Sequence, residues 1–314
     1  MGGQSAKKKI LVVGSIAYDH VMQFEGHFSE VIMPNNYNIA LTAADRHVYM
    51  GGCGGNICYN LKLLGEKPML FTTVGTDFKD YRGWLEQLDI DIDGIFECEK
   101  SLTASAFIVT DNDQNQMTFF DPGAMHKCGM SESIDKLDKS DISWAIISPD
   151  KPSRMITIAS ECKEAGIPYI FDPGQQIGVF EKEDLLIAIK SARVLILNQY
   201  EQKLMVKKLG ISGAKLSKMV PFYIETHGEK GCSIITKDRT YEVDAVKPKQ
   251  LADPTGCGDA FRAGLLCGLN NGKSIKDACK MGALAATYSI EEFGTQLHSF
   301  TKDEFEERLN NSNS

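Results

Sequence analysis

Asp253-Pro-Thr-Gly-Cys-Gly-Asp259 holds the densest chemistry in the chain: two glycines close before a carboxylate, at the start of an apolar, small-residue helix. Gly256 and Gly258 permit backbone geometries that a Cβ forbids. A turn built this way can aim several N–H groups at one point, where the helix dipole already favours an anion. Asp259 would then stand beside that anion, an awkward place for a carboxylate unless it serves as a base. A base next to a phosphate cradle predicts phosphoryl transfer to a hydroxyl. The ordinary alternative is a glycine-rich turn with Asp as a helix cap. Against it, the following helix keeps Ala260, Ala263, Gly264 and Gly268, and each interior glycine costs roughly 1 kcal/mol relative to alanine. That cost predicts a close backbone approach.

Four further constellations lie along the chain. In Gly51-Gly-Cys-Gly-Gly55-Asn56, four glycines in five residues let a backbone come near a ligand. Asn56 can both donate and accept there, or simply cap the helix that runs to about Gly65. Asp19 follows the first apolar run. Beyond the carboxyl end of a parallel strand, a carboxylate suits a vicinal diol; an exposed loop acid is the alternative. Asn198-Gln-Tyr-Glu201 sets an amide and a carboxylate at i, i+3, a pair that can hold Mg²⁺ through water or close a capping box. Thr226-His-Gly-Glu-Lys-Gly231 offers a hydroxyl and glycines to the phosphates or ribose of a nucleotide, or makes a hairpin turn.

The elements that must position these groups alternate. Short β-branched runs at 10–13, 69–74, 144–148, 169–172, 194–198, 222–226 and 232–236 are separated by helical patterns at 56–64, 81–88, 153–164, 185–191 and 199–208. Such alternation predicts βαβ units and a mostly parallel sheet covered on both faces. Segments 21–49 and 103–120 break it. Within the second, Ala104–Thr110 and Gln116–Phe120 flank Asp111-Asn-Asp-Gln-Asn115 and read as a hairpin. The two segments are expected to pair into a small sheet outside the main layer, a lid. The polar tail 310–314 is expected to fray.

Composition narrows the function classes. The chain has 314 residues, 43% of them hydrophobic, enough for one large core. Net charge is −8, and the only basic block is Lys7-Lys8-Lys9, so no nucleic-acid or anionic-membrane surface is signalled. The apolar run Ile10–Ala17 is too short for a signal peptide, and Ala6 breaks a myristoylation match. No run approaches the ~18 apolar residues of a membrane span. Nine cysteines, without Cys-x-x-Cys spacing, predict free thiols in a reducing compartment. The expectation is a soluble cytoplasmic protein.

Taken together and in this order, the motifs resemble the PfkB, or ribokinase-like, carbohydrate kinases over roughly the whole chain. The resemblance implies an α/β fold: a Rossmann-like, mostly parallel sheet with helices on both faces and a small β-sheet lid, one domain spanning 1–314. It implies Asp259 as catalytic base, and Gly256, Cys257 and Gly258 as a backbone anion hole. Asp19, Gly52 and Asn56 would hold acceptor hydroxyls; Asn198, Thr226, Gly228 and Gly231 would line the ATP site. Asn198 and Glu201 would position Mg²⁺, and Asp253 and Thr255 a monovalent cation. Pro254 and Cys257 depart from the common Asp-Thr-x-Gly-Ala-Gly-Asp pattern. The proline has no N–H, which leaves K⁺ use open. With Phe120-Asp-Pro-Gly-Ala-Met125 and Phe171-Asp-Pro-Gly-Gln175, this form resembles the nucleoside-kinase branch, with Gln175 facing the nucleoside. The implied reaction is ATP-dependent phosphorylation of a 5′-hydroxyl, adenosine first. Alternatives are a ribose or fructose kinase and, from another class, a non-catalytic nucleoside or sugar sensor. Some relatives pair through the lid, so a homodimer is a further expectation.

Overall fold

The computed structural model describes residues 7–32, 39–128 and 133–312. Its strands, in chain order, are β1 (Lys9–Val13), β2 (Ala17–Gln23), β3 (Asp45–Gly51), β4 (Pro68–Val74), β5 (Asp91–Glu97), β6 (Ala104–Thr110), β7 (Gln116–Asp121), β8 (Ile142–Ile147), β9 (Tyr169–Phe171), β10 (Val194–Asn198), β11 (Phe222–Thr226), β12 (Cys232–Ile235) and β13 (Thr240–Val243). The helices are α1 (Phe28–Val31), α2 (Cys53–Leu63), α3 (Lys79–Gln87), α4 (Gly123–Lys127), α5 (Pro152–Ala165), α6 (Lys182–Ser191), α7 (Gln199–Leu209), α8 (Gly213–Ser217), α9 (Cys257–Asn270), α10 (Ile275–Ile290) and α11 (Lys302–Asn311).

Nine strands form the main sheet, in the order β13-β12-β11-β10-β9-β8-β1-β4-β5. All its pairings are parallel except β11–β12 and β12–β13. Because side chains alternate across a strand, Ile-Leu-Val-Val of β1 feeds two cores. Ile10 and Val12 pack with Leu70, Ile146, Ile196 and Ile224 on one face. Leu11 and Val13 pack with Met69, Ile147, Leu195 and Leu197 on the other. Each such side chain contributes about 1.5–3 kcal/mol when buried. The α/β architecture inferred from the alternation is the observed one.

A second sheet has the order β3-β2-β6-β7, with β2 parallel to β6 and the other pairs antiparallel. The 104–120 hairpin forms as its pattern indicates, Ala106 opposite Phe120. The first lid segment differs from the expected 21–49. Strand β2 already begins at Ala17, part of the expected segment (33–38) lies outside the described residues, and β3 returns at Asp45. Strands β5 and β13 and helices α10 and α11 were not distinguished in the sequence pattern.

The close backbone approach expected at the α9 glycines is present, and one further expectation is corrected. The glycines of α9 answer to a neighbouring helix: a Cβ on Gly264 would come 2.5 Å from the Met281 carbonyl oxygen of α10. The cysteines are not all free. Cys98, after β5, and Cys128, after α4, form a disulfide with Cα–Cα 5.9 Å, within the span such a bond bridges; the other seven are thiols. Both partners flank the small-sheet hairpin, 30 residues apart in sequence, which no spacing motif reveals. Among the described residues, no helix is long and apolar enough to cross a membrane.

Candidate active site

The Gly-x-Gly-Asp turn is built from fixed backbone. Ala252 and Asp253 N–H groups donate to Ile290 O at the end of α10 (2.9 and 3.3 Å). Gly256 then caps α9 with φ 79°, a left-handed conformation that favours glycine. Cys257 N–H donates back to Pro254 O at 3.3 Å. This N–H, expected to take part in the anion hole, makes one long bond within the turn. The N–H groups of Gly258 and Asp259, next in the first helical turn, have no partner among the described residues. They are the orphan donors that every helix start leaves.

Asp259 is held from the other half of the chain. Asn56 Nδ2 donates to its Oδ2 at 2.8 Å. Asn56 is not the cap of α2, as one reading had it. The helix begins three residues earlier, at Cys53, with Gly52 as cap (φ 87°), so Asn56 sits buried inside the first turn. Its amide orientation is set from behind: Gln296 Nε2 donates to Asn56 Oδ1 (3.0 Å) and to Tyr81 Oη (2.5 Å). Trp84 Nε1 donates to Gln296 Oε1 (2.9 Å), and Tyr81 Oη to Gly51 O (2.9 Å). Sequence reasoning missed Gln296, Tyr81 and Trp84, which carry no motif.

Burial pushes the Asp259 carboxyl up to about 6; the Arg262 cation and the Asn56 donor oppose that rise, and the Asp172 carboxylate adds to it. Asp19 stands in strand β2 rather than in a loop after β1, opposite Tyr49 and Ala106. Its carboxylate lies directly over Gly51, where a Cβ would come 2.2 Å from Oδ2. Burial pushes Asp19 to about 7, with the Asp259 and Asp253 charges adding to the rise. The two carboxylates therefore share one partly dehydrated space.

Asn198, Thr226, Gly228 and Gly231 do converge. They line a cavity of about 650 Å³ together with Cys257 and Gly258. Its remaining wall is largely apolar and includes Val246, Leu251, Ala283 and Ala286, a composition suited to a flat heterocycle. Asn198 and Glu201 form a reciprocal capping box at the start of α7. Glu201 N–H donates to Asn198 Oδ1 and Asn198 N–H to Glu201 Oε2, both at 2.8 Å. Glu201 is buried, and burial raises its carboxyl, with Asp172 the next cause.

At the turn preceding Gly256, Asp253 Oδ1 accepts from Thr255 N–H (2.9 Å) and Oδ2 from Gly294 N–H (3.2 Å). Gln175 lies exposed in a short 3₁₀ turn, Gly174–Gly178, without a hydrogen bond to Asp19, Asn56 or Asp259. The member of that motif that reaches the site is Asp172, paired with Arg262 of α9.

The geometry thus joins a half-buried carboxylate, two unpartnered N–H groups and a nucleotide-sized cavity on one side, and a carboxylate on a small-sheet strand on the other. The pfkB family carbohydrate kinase model matches residues 7–302. The nucleoside kinase of Methanocaldococcus jannaschii is 32% identical over 312 residues, 98% of each chain. Its solved structure, described as an archaeal member of the ribokinase family, superposes with a TM-score of 0.84 at 30% identity, over 99% of this chain and 100% of that one. The Burkholderia thailandensis nucleoside kinase in complex with inosine is 36% identical, with a TM-score of 0.86 over 96% of this chain and 97% of that one.

Proposed function

Because the chain belongs to the pfkB family of carbohydrate kinases, and so is a phosphotransferase acting on a hydroxyl group, we propose that it transfers the γ-phosphoryl group of ATP to the 5′-hydroxyl of a nucleoside, adenosine and inosine being the first to test. The single observation that carries this reading is the Asn56–Asp259 hydrogen bond. It ties the proton acceptor to both halves of the site, the acceptor side at Asp19 and Gly52 and the nucleotide side at Gly258.

In the proposed step the hydroxyl oxygen attacks the γ-phosphorus in line and gives its proton to Asp259. The bond to the bridging oxygen breaks, and its electron pair leaves on ADP. With its carboxyl near 6, Asp259 is mostly ionised at neutral pH yet still basic enough to matter. The N–H groups of Gly258 and Asp259 face the charge that develops, while positioning supplies most of the rest. Asp19 accepts hydrogen bonds from a ribose diol. Thr226, Gly228 and Gly231 line the ATP side.

The acceptor is read as a nucleoside rather than ribose or fructose from the small sheet. Tyr49, Asp19, Ala106 and Phe120 form one cross-strand row, so their side chains share a face. Phe120 is 49% exposed, an aromatic surface that a nucleobase covers and a free sugar does not. The sensor alternative leaves the aligned base without a purpose.

Mg²⁺ fits Glu201 with Asn198: the capping box uses Oε2 and leaves Oε1 without a hydrogen bond among the described residues. Bound there with the nucleotide, the ion would neutralise phosphate charge. A monovalent cation fits the oxygens of Asp253 and Thr255, since each Asp253 oxygen accepts one bond and keeps a lone pair. The opposite face of the small sheet carries the row Val48, His20, Phe107 and Phe119, in which the apolar Val48, Phe107 and Phe119 are exposed; a second copy of the chain would cover it. The proposed compartment is the cytoplasm.

The test is ADP release with Mg-ATP against adenosine, inosine, guanosine, cytidine, ribose and fructose. Turnover on nucleosides with silence on sugars is expected; turnover on sugars alone would overturn the acceptor.

A further inference from the structure

Resting on the phosphotransferase reading above, we propose that Arg262 donates its free Nη1 to the phosphoryl group in transit, and that Asp172 is the residue that aims it. Arg262 lies three residues after Asp259 and four after Gly258 on α9, so its side chain returns over the first helical turn. It is 9% exposed. Asp172, buried just past β9, accepts from Nη2 at 2.7 Å and lies against Nε. The hydrogen bond is at Nη2 alone; the Nε contact is an ion pair without hydrogen-bond geometry, and the two together orient the guanidinium. Nη1 is left at the other end, with no partner among the described residues. A Cβ built on Gly258 would come 2.7 Å from it. Nη1 therefore stands at the residue that lines the nucleotide-sized cavity and whose own N–H is unpartnered.

The electrostatics point the same way. A cationic head held beside the first turn of a helix, as Nη1 is beside Gly258, opposes the helix dipole, and taking it out of water is costly unless its charge is used. Asp172 answers part of this. Yet Asp259 and Glu201 also act on the guanidinium, holding Arg262 firmly in its charged form. Of the charged groups that act on Asp259, Arg262 is the positive one and Asp172 the negative. Without Arg262, a transferring phosphoryl group would enter a space ringed by Asp172, Asp259 and Glu201. The transferring group spreads its charge over three equatorial oxygens. The Gly258 and Asp259 N–H groups approach from the backbone, and Nη1 supplies a further donor beside them. Arg262 gains and loses no proton in the step; the hydroxyl proton still passes to Asp259.

The experiment compares wild type with Arg262→Gln, Arg262→Lys, Asp172→Asn and the double variant Asp172→Asn/Arg262→Gln. Two readouts are taken: kcat and KM with nucleoside and Mg-ATP, and binding of ADP against ADP–aluminium fluoride in the presence of nucleoside. Removing Arg262 is expected to lower kcat by about 10²–10³-fold, as loss of a charge-stabilising donor does. KM values should move by no more than about threefold, because the contact forms in the transition state. Affinity for the aluminium fluoride complex should fall while ADP affinity holds. Lysine, and added guanidinium ion with Arg262→Gln, should recover part of the rate. Asp172→Asn should lower kcat through the loosened arginine. The neutral double variant removes the unpaired buried charge and so keeps the comparison valid if a single variant fails to fold. A folded double variant with wild-type kcat, or unchanged aluminium fluoride affinity, would overturn the proposal. The phosphotransferase reading fails on a different result, a wild type that turns over neither nucleosides nor sugars; the aluminium fluoride comparison still decides on Arg262.

Discussion

Asn56 and Asp259 are 203 positions apart in the chain and 2.8 Å apart in space, the amide Nδ2 donating to carboxylate Oδ2. One is in the first turn of α2 and the other in the first turn of α9. Two helix starts therefore meet head to head, and the proton acceptor sits where they meet.

Asp259→Asn keeps the shape and removes the base. It should bind nucleoside and ATP normally while kcat falls by at least about a hundredfold. Steady-state kinetics with calorimetric binding checks this; near-wild-type turnover would exclude Asp259 as the acceptor of the proton.

The pH profile follows from the same residue. Catalysis needs Asp259 ionised, so kcat/KM should fall tenfold per unit below about pH 6, where the buried carboxyl takes up its proton. A profile flat from pH 5 to 8 would contradict this.

Asp19→Asn should separate binding from stability. The folded carboxyl titrates near 7 against an ordinary value of 3.8. The folded state thus holds its proton longer than the unfolded one. Stability is greatest below about pH 4 and is lost as pH rises to about 7, by about 1.4 kcal/mol per unit at most. The variant lacks this loss. Its advantage over wild type in Tm should grow between pH 4 and 7, while KM for the nucleoside rises. A constant Tm difference would show that Asp19 is ordinarily solvated.

Gly256→Ala forces a side chain into the left-handed region, with its Cβ 2.9 Å from Thr295 Cγ2. It should cost about 1–3 kcal/mol and displace the α9 start, so kcat should fall along with Tm. Denaturant unfolding and kinetics on the same preparation test whether the two move together.

Glu201→Gln can keep the capping geometry but loses the carboxylate. The Mg²⁺ concentration needed for half-maximal rate should rise, with a Tm change of a degree or two. An unchanged Mg²⁺ titration would leave Glu201 as a helix cap alone.

Local chemistry made much of this legible in the sequence. Strands β10 and β11 show through their apolar runs Val194–Leu197 and Phe222–Ile224 and close within two residues of them, at Asn198 and Thr226, because a buried parallel strand reads as a hydrophobic run. The 104–120 hairpin shows through its polar turn. Asp259 is marked by two glycines that only a tight turn before a helix requires. What the local pattern does not hold is the identity of distant partners. Asp19 reads in sequence as a carboxylate following the first strand, because β2 pairs outside the main sheet and its partners Tyr49 and Ala106 are 30 and 87 residues away. Gln296, Tyr81 and Trp84 carry no local signal in the sequence, yet together they orient Asn56. Arg262 sits inside an apolar helix, and nothing near it in sequence names Asp172 as its partner. Strand order and helix packing decide these pairs, since a side chain's hydrogen-bond partner depends on where separate elements meet rather than on residue type.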